Sequence, residues 1–535
     1  MHLEVRKEAA IAEKEARTRS QACGVWAHVP ESPRQIPKAI SGINKIIDRM
    51  LACARRGSAA RRQPIKETPL MQDLAGVPAR TASGPRTYYR YWFLTLLILV
   101  YASSFVDRIF ISVVAQKIKA EMSLSDVQLG ILGGLAFSIL YATLSIPVAR
   151  LAERRNRVTL ISVSIALWSA MTALCGTAGN FWHLLLYRLG VGIGEAGCTP
   201  AAHSLIADQF PPERRATAFS LYALGPPLGV IAGAIGGSWL AQRLGWREAF
   251  YVVGLPGLIL GVLAWLTLKE PPRGASDPDH ANAQQVPSLR EVLSVLMRSR
   301  AFVQFLLGTV ICAFAQYGIN LFMPVYLARV FGMDMVQAGL AFGLIVGIGG
   351  LAGNALGGFA ADAAGRYDPR WYAWVPACGT LLGFPLAAIA FLQQDWHVAV
   401  PLLLLCTLML NVWNGPTFAV VHGLVSPRMR ATASAIVFLT MNLIGQGFGP
   451  PTIGMLSDLF TSHIFAAGNF QAMCHAGQGG GHAVAAWQGP AAAACAQASA
   501  QGLRYAMLAM SVIFAWASLH YYFASRQLGG RAAEC

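Results

Sequence analysis

The chain has 535 residues, of which 55% are hydrophobic and only 13% charged, with 53 glycines and a formal net charge of +16. Soluble globular domains carry about 25% charged residues, so this composition excludes an ordinary soluble protein and points to one that crosses a membrane many times. In a soluble protein the basic balance would suggest nucleic acid, but here its distribution is that of membrane topology, and no nucleic-acid surface is expected.

Residues 1–86 come first, with interspersed charges, scattered proline and no apolar run of membrane length. They read as a cytoplasmic tail without a fold of its own. Met71 begins MQDLAGVPARTASGPRTYYRYW, an ordinary lead into a first span, so the 70 residues before it are expected to be dispensable, as for an over-extended start. Glu4, Glu8, Glu13 and Glu15 make the opening too acidic for a transit peptide.

From Tyr91 to Phe523, apolar runs of roughly 20 residues recur about twelve times. The first six centre near Leu99, Ala136, Ala166, Gly194, Gly229 and Leu258, and the second six near Ala315, Ile345, Ala387, Met409, Leu443 and Ile513. A polar stretch from Lys269 to Glu291, rich in proline and charge, separates the two sets. The expected division is an N-terminal bundle over 87–268, a cytoplasmic linker over 269–300, a C-terminal bundle over 301–525 with an outer loop at 462–500, and a tail at 526–535.

Arginines crowd every second loop. Arg150, Arg154, Arg155 and Arg157 follow span 2, Arg214 and Arg215 follow span 4, Arg366 and Arg370 follow span 8, and Arg428 and Arg430 follow span 10. The intervening loops hold Lys117, Lys119, Arg243, Arg247 and Arg329. That asymmetry predicts both termini on the cytoplasmic side. The loops also repeat: Ala149, Glu153 and Arg157 match Gly358, Asp362 and Arg366 at one offset, since 358 − 149 and 366 − 157 both give 209. Arg215-Ala216-Thr217-Ala218 likewise matches Arg430-Ala431-Thr432-Ala433. Two related six-span halves account for both matches.

Span 4 contains a formal G-x-G-x-x-G at Gly192, Gly194 and Gly197. A dinucleotide site needs a strand before those glycines and a helix opening at them. Here they lie inside the apolar run HLLLYRLGVGIGEAGCTPAAHSLIA, so helix packing is the expected role, as for Gly229-x-x-x-Gly233 and Gly445-x-x-x-Gly449. Arg188 and Glu195, seven residues apart, share one helix face about 10.5 Å apart along the axis. A charge at mid-bilayer costs about 2.5–3.5 kcal/mol, so both must look into the protein, as must Asp107 and Arg108 of span 1. Adjacent residues diverge by about 100°; Asp107 is expected to face a cavity and Arg108 a neighbouring helix. Purely structural ion pairs are the alternative.

Gln316, Tyr317 and Asn320 in span 7, with Asn411 and Asn414 in span 10, are secondary cavity candidates that could instead bond between helices. Cys474 and Cys495 lie in the loop between spans 11 and 12, on the predicted outer side where disulfides persist, and are candidates for a disulfide or for two free thiols. No metal-ligand spacing is present and no cofactor is expected.

The two halves, the basic turns of the form G-x-x-x-D-R-x-G-R after spans 2 and 8, and the glycine-rich fifth span (Gly225-Pro226-Pro227-Leu228-Gly229, Gly233, Gly236-Gly237) resemble the major facilitator superfamily. Val106-Asp107-Arg108, the run RLGVGIGEAGCTPAAHSLIADQFPPERRA and the alanine-rich loop with two cysteines are similar to its spinster-like branch. The resemblance implies an all-α membrane fold of twelve helices in two pseudo-symmetric six-helix bundles, alternating access, and a place in a bacterial inner membrane. Animal members of the branch are implicated in exporting sphingosine-1-phosphate and lysophospholipids. It also implies a cytoplasmic gate in the basic turns: Glu153, Arg154 and Arg157 with Asp208, and Asp362 with Arg366 in the second copy. The departures are Ala149, Glu153 and Asn156 in the first turn and Ala363 in the second.

The expected function is a proton-coupled secondary transporter, a monomer in the lipid bilayer, for a small anionic or amphipathic solute such as a lysolipid, a sphingoid phosphate or an organic anion. Arg188 would attract the anionic group while Glu195 and Asp107 exchange protons. No G-x-x-x-x-G-K-[ST] sequence occurs, so an ion gradient would supply the energy. A receptor or sensor on the same fold is the alternative, and an enzyme is not expected, for no nucleophile with a matching base is visible.

Overall fold

The computed structural model describes residues 87–272, 288–426, 429–465, 470–475 and 490–528; the expectations for residues 1–86 lie outside them. Among the described residues there are helices and their connections and no strand. Ten helices are long and apolar enough to cross a membrane: Tyr88–Met122, Asp126–Ala152, Arg157–Cys175, Thr217–Leu244, Trp246–Thr267, Arg300–Phe331, Met335–Gly365, Trp371–Leu392, Trp396–Gly423 and Ala492–Leu528. They are spans 1, 2, 3, 5, 6, 7, 8, 9, 10 and 12.

Span 4 is helical in two pieces, Phe181–Glu195 and Cys198–Gln209, broken by a turn at Ala196-Gly197 directly after its buried carboxylate. Span 11 runs from Arg430–Thr440 through Met441–Gln446 into Gly447–Ile464 and carries Asn442, Gln446 and Asp458, which lower its apolar character. Twelve helical spans therefore form two six-helix bundles. Large apolar side chains such as Val163, Leu186, Trp239, Leu255 and Trp265 stand more than half exposed on the outside, a surface that lipid covers.

The two bundles share a local irregularity. Spans 2, 5, 8 and 11 each contain a π-helical turn, at Ile131–Leu135, Ala232–Gly236, Gly343–Ile348 and Met441–Gln446. These four spans also form the seam between the bundles, span 2 against span 11 and span 5 against span 8, and glycines set the approach. A Cβ on Gly130 would lie 2.5 Å from the Pro450 carbonyl oxygen, and one on Gly454 would lie 2.2 Å from that of Asp126. Within each bundle the packing repeats: Gly229 meets Ala102 and Phe105 of span 1, and Gly449 meets Phe314 of span 7. The glycines of the G-x-G-x-x-G are packed in the same way, Gly192 against the Phe137 backbone and Gly194 against that of Trp168.

Seam contacts against backbone cannot yield as a side chain does. Gly454→Ala is expected to destabilise the folded protein by about 1–3 kcal/mol through overpacking. Gly358→Ala, whose Cβ would meet no atom within 4 Å, is expected to leave the melting temperature unchanged or slightly higher. Thermal unfolding of the two purified variants side by side checks this; equal melting temperatures would show that the seam is loose.

Candidate functional site

Midway along the first bundle, spans 1 and 4 bring four ionisable side chains together. Arg108 donates to Glu195 Oε2 from Nε at 2.7 Å, and its Nη2 lies 2.6 Å from the same oxygen. Its guanidinium carbon sits 5.0, 4.6 and 4.7 Å from the ring centroids of Phe105, Phe137 and Tyr141. Quadrupole attraction to ring faces adds to the ion pair where water is scarce. Asp107, on the same helix as Arg108, is within electrostatic reach of Glu195, Arg188 and Arg108 and close to the Thr172 hydroxyl. Arg188 donates from Nε to the Leu132 carbonyl in the π turn of span 2, at 3.4 Å.

This arrangement differs from the expected one in two respects. The ion pair of Glu195 is with Arg108, whose reach from span 1 brings its guanidinium directly onto that carboxylate, and Arg188 acts on Glu195 only through its charge. Arg108 is also the more open of the two span 1 charges, with 12% of its side chain exposed, whereas Asp107 is 2% and Arg188 1% exposed. Asp107 Oδ1, Glu195 Oε1 and Arg188 Nη2 are buried without a protein hydrogen-bond partner. Three of the four groups thus hold unused hydrogen-bonding capacity in the interior, where it is costly.

The second bundle contributes neutral groups. Tyr317 is within electrostatic reach of Arg108 and Tyr141 and so faces the charged site across the seam. Gln316 and Asn320 line a small cavity inside the second bundle with Cys406 and Thr407. Asn411 turns back to the Thr407 carbonyl at 2.7 Å, and Asn414 bonds the Asn354 side chain of span 8 at 2.7 Å. Those two amide nitrogens serve helix packing. At position 209 residues beyond Asp107-Arg108 stand Gln316-Tyr317, so the charged pair of span 1 has a neutral polar counterpart in span 7.

The two ends of the molecule are built differently. At the arginine-rich end, Arg157 is 2% exposed and donates to Asp208 at 2.5 Å, Ser204 at 2.7 Å, Glu270 at 2.7 Å and the Pro271 carbonyl at 3.1 Å. Arg157 and Asp208 therefore meet, and Glu270 joins them; Asp208 and Ser204 belong to the first bundle, Glu270 and Pro271 to the start of the linker, and none to the second bundle. Nothing is described of the Glu153 side chain, and Arg154 is exposed. In the second copy, Asp362 accepts from the Tyr372 hydroxyl at 2.9 Å, and Asp362 and Arg366 are both exposed and make no ion pair with each other, as solvated side chains gain little from pairing.

At the opposite end, Asp126 ties the bundles together. Its carboxylate, 1% exposed, accepts from Lys119 at 2.6 Å, from both terminal nitrogens of Arg329 at 2.8 Å, and from Ser457 at 2.7 Å. Asp458 of span 11 accepts from the backbone N–H groups of Asp126 and Val127 at 3.1 and 3.0 Å, capping the start of span 2. Arg329 also donates to Gln116 at 2.9 Å. Among the described residues, the hydrogen bonds that join the two bundles lie at this end, Val336 to Gln242 included. Beyond it, Cys474 and Cys495 are joined by a disulfide with a Cα separation of 5.9 Å.

Two bundles related by a repeat, glycine-lined seams and a buried charge site between spans 1 and 4 form the setting in which a comparison with known proteins becomes informative. The model of the major facilitator superfamily matches residues 96–450. The chain belongs to that superfamily. It is similar to an MFS-type efflux pump of Mycolicibacterium smegmatis, 35% identical over 72% of this chain and 87% of the relative. It is also similar to protein spinster homolog 1 of Xenopus tropicalis, 26% identical over 69% of this chain and 74% of the relative. Among solved structures it resembles a bacterial homologue of the human lysosomal transporter spinster in an inward-facing, unoccupied conformation, with a TM-score of 0.74, 34% identity, and coverage of 83% of this chain and 98% of that one. It is therefore a spinster-like member of the superfamily, an integral membrane protein of a transporter family and not an enzyme.

In this superfamily member, sequence reasoning passed over the Asp126 network. Lys119 and Arg329 registered only as loop charges, and Asp126, Ser457 and Asp458 did not register at all. One local signal was available: Ser125 and Gln128 form a capping box that fixes Asp126 in the first turn of span 2. Its partners in the second bundle, however, lie more than 200 residues away. Removing one partner of a buried ion pair costs about 3–5 kcal/mol, so Arg329→Gln should loosen this end. With Cys23, Cys53, Cys378 and Cys535 replaced by serine, Leu124→Cys, at a position 3% exposed here, should react with a membrane-impermeant maleimide at least about tenfold faster once Arg329 is replaced, the equivalent of about 1.4 kcal/mol. An unchanged rate would mean that the network does not hold this face closed.

Proposed function

We propose that the protein is a proton-coupled transporter of a small anionic or amphipathic solute, cycling by rocking of the two bundles about the site between spans 1, 4 and 7. The observation that carries this reading is the Arg108–Glu195 pair, in which a partly open arginine is held by a fully buried carboxylate. With all four groups ionised, Asp107, Arg108, Arg188 and Glu195 sum to zero charge. In a low-dielectric site that balance is expensive to disturb. An anionic group that takes Arg108 away from Glu195 adds one negative charge, and a proton on the released carboxylate restores neutrality. Anion and proton therefore bind together, one charge for one proton.

The aromatic rings around Arg108, with Tyr101 stacked on Tyr222 at 4.6 Å between centroids, suit an organic portion attached to the anionic group. Asp107 is the deeper carboxylate that can relay or store the proton, and Arg188 is the fixed positive charge beside it. The basic loops support cytoplasmic termini by the positive-inside rule, and on that reading the Asp126 network closes the outer face. Sensing without net transport would give binding but no accumulation.

The sign of the coupling is testable. In the native protein, anion affinity is expected to rise as pH falls, because protonation of Glu195 frees Arg108. In Glu195→Gln, anion affinity should be independent of pH, and uptake driven by a pH gradient into sealed vesicles, measured per folded molecule, should vanish. Arg108→Ala should weaken anion binding by about 10- to 100-fold, the loss of charge-assisted hydrogen bonds of about 1.5–3 kcal/mol. A well-folded Glu195→Gln protein with undiminished proton coupling would move the proton to Asp107 and reject this assignment.

A further inference from the structure

The segment that links the two bundles contains a ten-residue helix, Leu289–Arg298, capped at Ser288, whose side chain accepts from the Glu291 N–H. Five of its six apolar residues, Leu289, Val292, Leu293, Leu296 and Met297, fall in the i, i+3, i+4, i+7, i+8 pattern of one helix face, and the sixth, Val295, lies off it on the far side of Val292. Only part of that face is used. Val292 and Leu296 are fully buried in the core of the second bundle, whereas Leu289, Leu293 and Met297 are 41, 42 and 51% exposed. These three stand four residues apart and form a shoulder beside the buried pair. Arg290 and Arg298 border it, Arg300 follows at the head of span 7, and Glu291 is the one acidic residue of the helix.

Position decides what covers this shoulder. A single residue, Ser299, separates the helix from span 7, which starts at Arg300. The helix is therefore held at the depth where a span enters the bilayer, at the arginine-rich end. Its exposed apolar edge is continuous in chain with the lipid-facing side of span 7, where Leu307 is 39% exposed. An apolar edge flanked by cations, fixed at head-group depth, is complementary to a leaflet carrying negative phosphates.

We propose that the Leu289–Arg298 helix is an interfacial anchor for anionic phospholipid, with Leu289, Leu293 and Met297 set among the upper acyl chains and Arg290, Arg298 and Arg300 on the phosphates. The helix binds the second bundle through Val292 and Leu296 and the leaflet through its other edge. It fixes the linker to the membrane surface while the first bundle moves. The inference rests on the chain spanning a membrane and not on proton coupling, so the transport experiments can fail without touching it.

The test uses the full-length protein with Met297→Cys and with Cys23, Cys53, Cys378 and Cys535 replaced by serine, labelled with an environment-sensitive nitrobenzoxadiazole and reconstituted in phosphatidylcholine vesicles with or without phosphatidylglycerol. The expected result is quenching by a nitroxide carried high on the acyl chain, with protection from aqueous iodide, both stronger when phosphatidylglycerol is present. That added increment should be lost in the Arg290→Gln/Arg298→Gln variant and at high salt. Full iodide access without nitroxide quenching in both vesicles would overturn the proposal. So would protection that grows with the protein-to-lipid ratio regardless of lipid charge, which would mark a second copy of the chain as the occupant.

Discussion

An ionised side chain inside a bilayer must be neutralised by its neighbours, and the placement of this protein's buried charges follows from that constraint. Three clusters satisfy it at three depths. At the arginine-rich end Arg157 is held by Asp208 and Glu270, at mid-depth Arg108 by Glu195, and at the far end Asp126 by Lys119 and Arg329. Neither of the first two crosses to the second bundle: the mid-depth pair lies within the first bundle, and the Arg157 cluster joins that bundle to the start of the linker. The third crosses the seam. A rocking motion can leave the first two pairs intact but must break the third, so the seam is held by charge at one end and by glycine packing along its length.

The scaffold is symmetric and the chemistry is not. π turns recur in spans 2, 5, 8 and 11, and Gly229 on Phe105 is echoed by Gly449 on Phe314. The same 209-residue offset that aligns the basic turns aligns Asp107-Arg108 with Gln316-Tyr317. One bundle therefore keeps the ionisable pair while the other keeps its shape with uncharged hydrogen-bonding groups. Concentrating the charges on one side lets them balance each other over bonding distances, and a single added charge is then felt by all of them. The neutral side can face the solute without adding a second desolvation cost.

Much of this was legible in the sequence because hydropathy and loop charge report directly on span number and halves. The buried charges of spans 1 and 4 were legible for the same reason, since each stands out in an apolar run. Their pairing was not. Helix periodicity puts Arg188 and Glu195 on one face but leaves the rotation of that face toward span 1 undetermined, and an arginine is long enough to make either pairing. Asn411 looked like a cavity residue because it is polar in a span, yet its amide had a carbonyl of its own helix within reach. The Asp126 network was least visible, since it is assembled from residues at the starts and ends of spans 1, 2, 7 and 11, where charge is ordinary.

The inequality of the two ends bears on the energy of the cycle. Shifting a two-state equilibrium from 1:99 to 99:1 takes about 5.5 kcal/mol of differential binding, and breaking one buried ion pair costs about 3–5 kcal/mol. The Asp126 network contributes toward the conformation described here, by less than that figure, because opening the far end hydrates its charges instead of leaving them buried and unpaired. Arg157 offers little in return, because four of its five N–H groups are already engaged with its own bundle and the start of the linker. In the transport cycle proposed above the opposite conformation is stabilised elsewhere, and the bound solute with its proton is the component that differs between a loaded and an empty carrier. A site whose charge balance is completed only when both are present supplies such a difference. An empty site, with Arg108 returned to Glu195, leaves the far-end network in control.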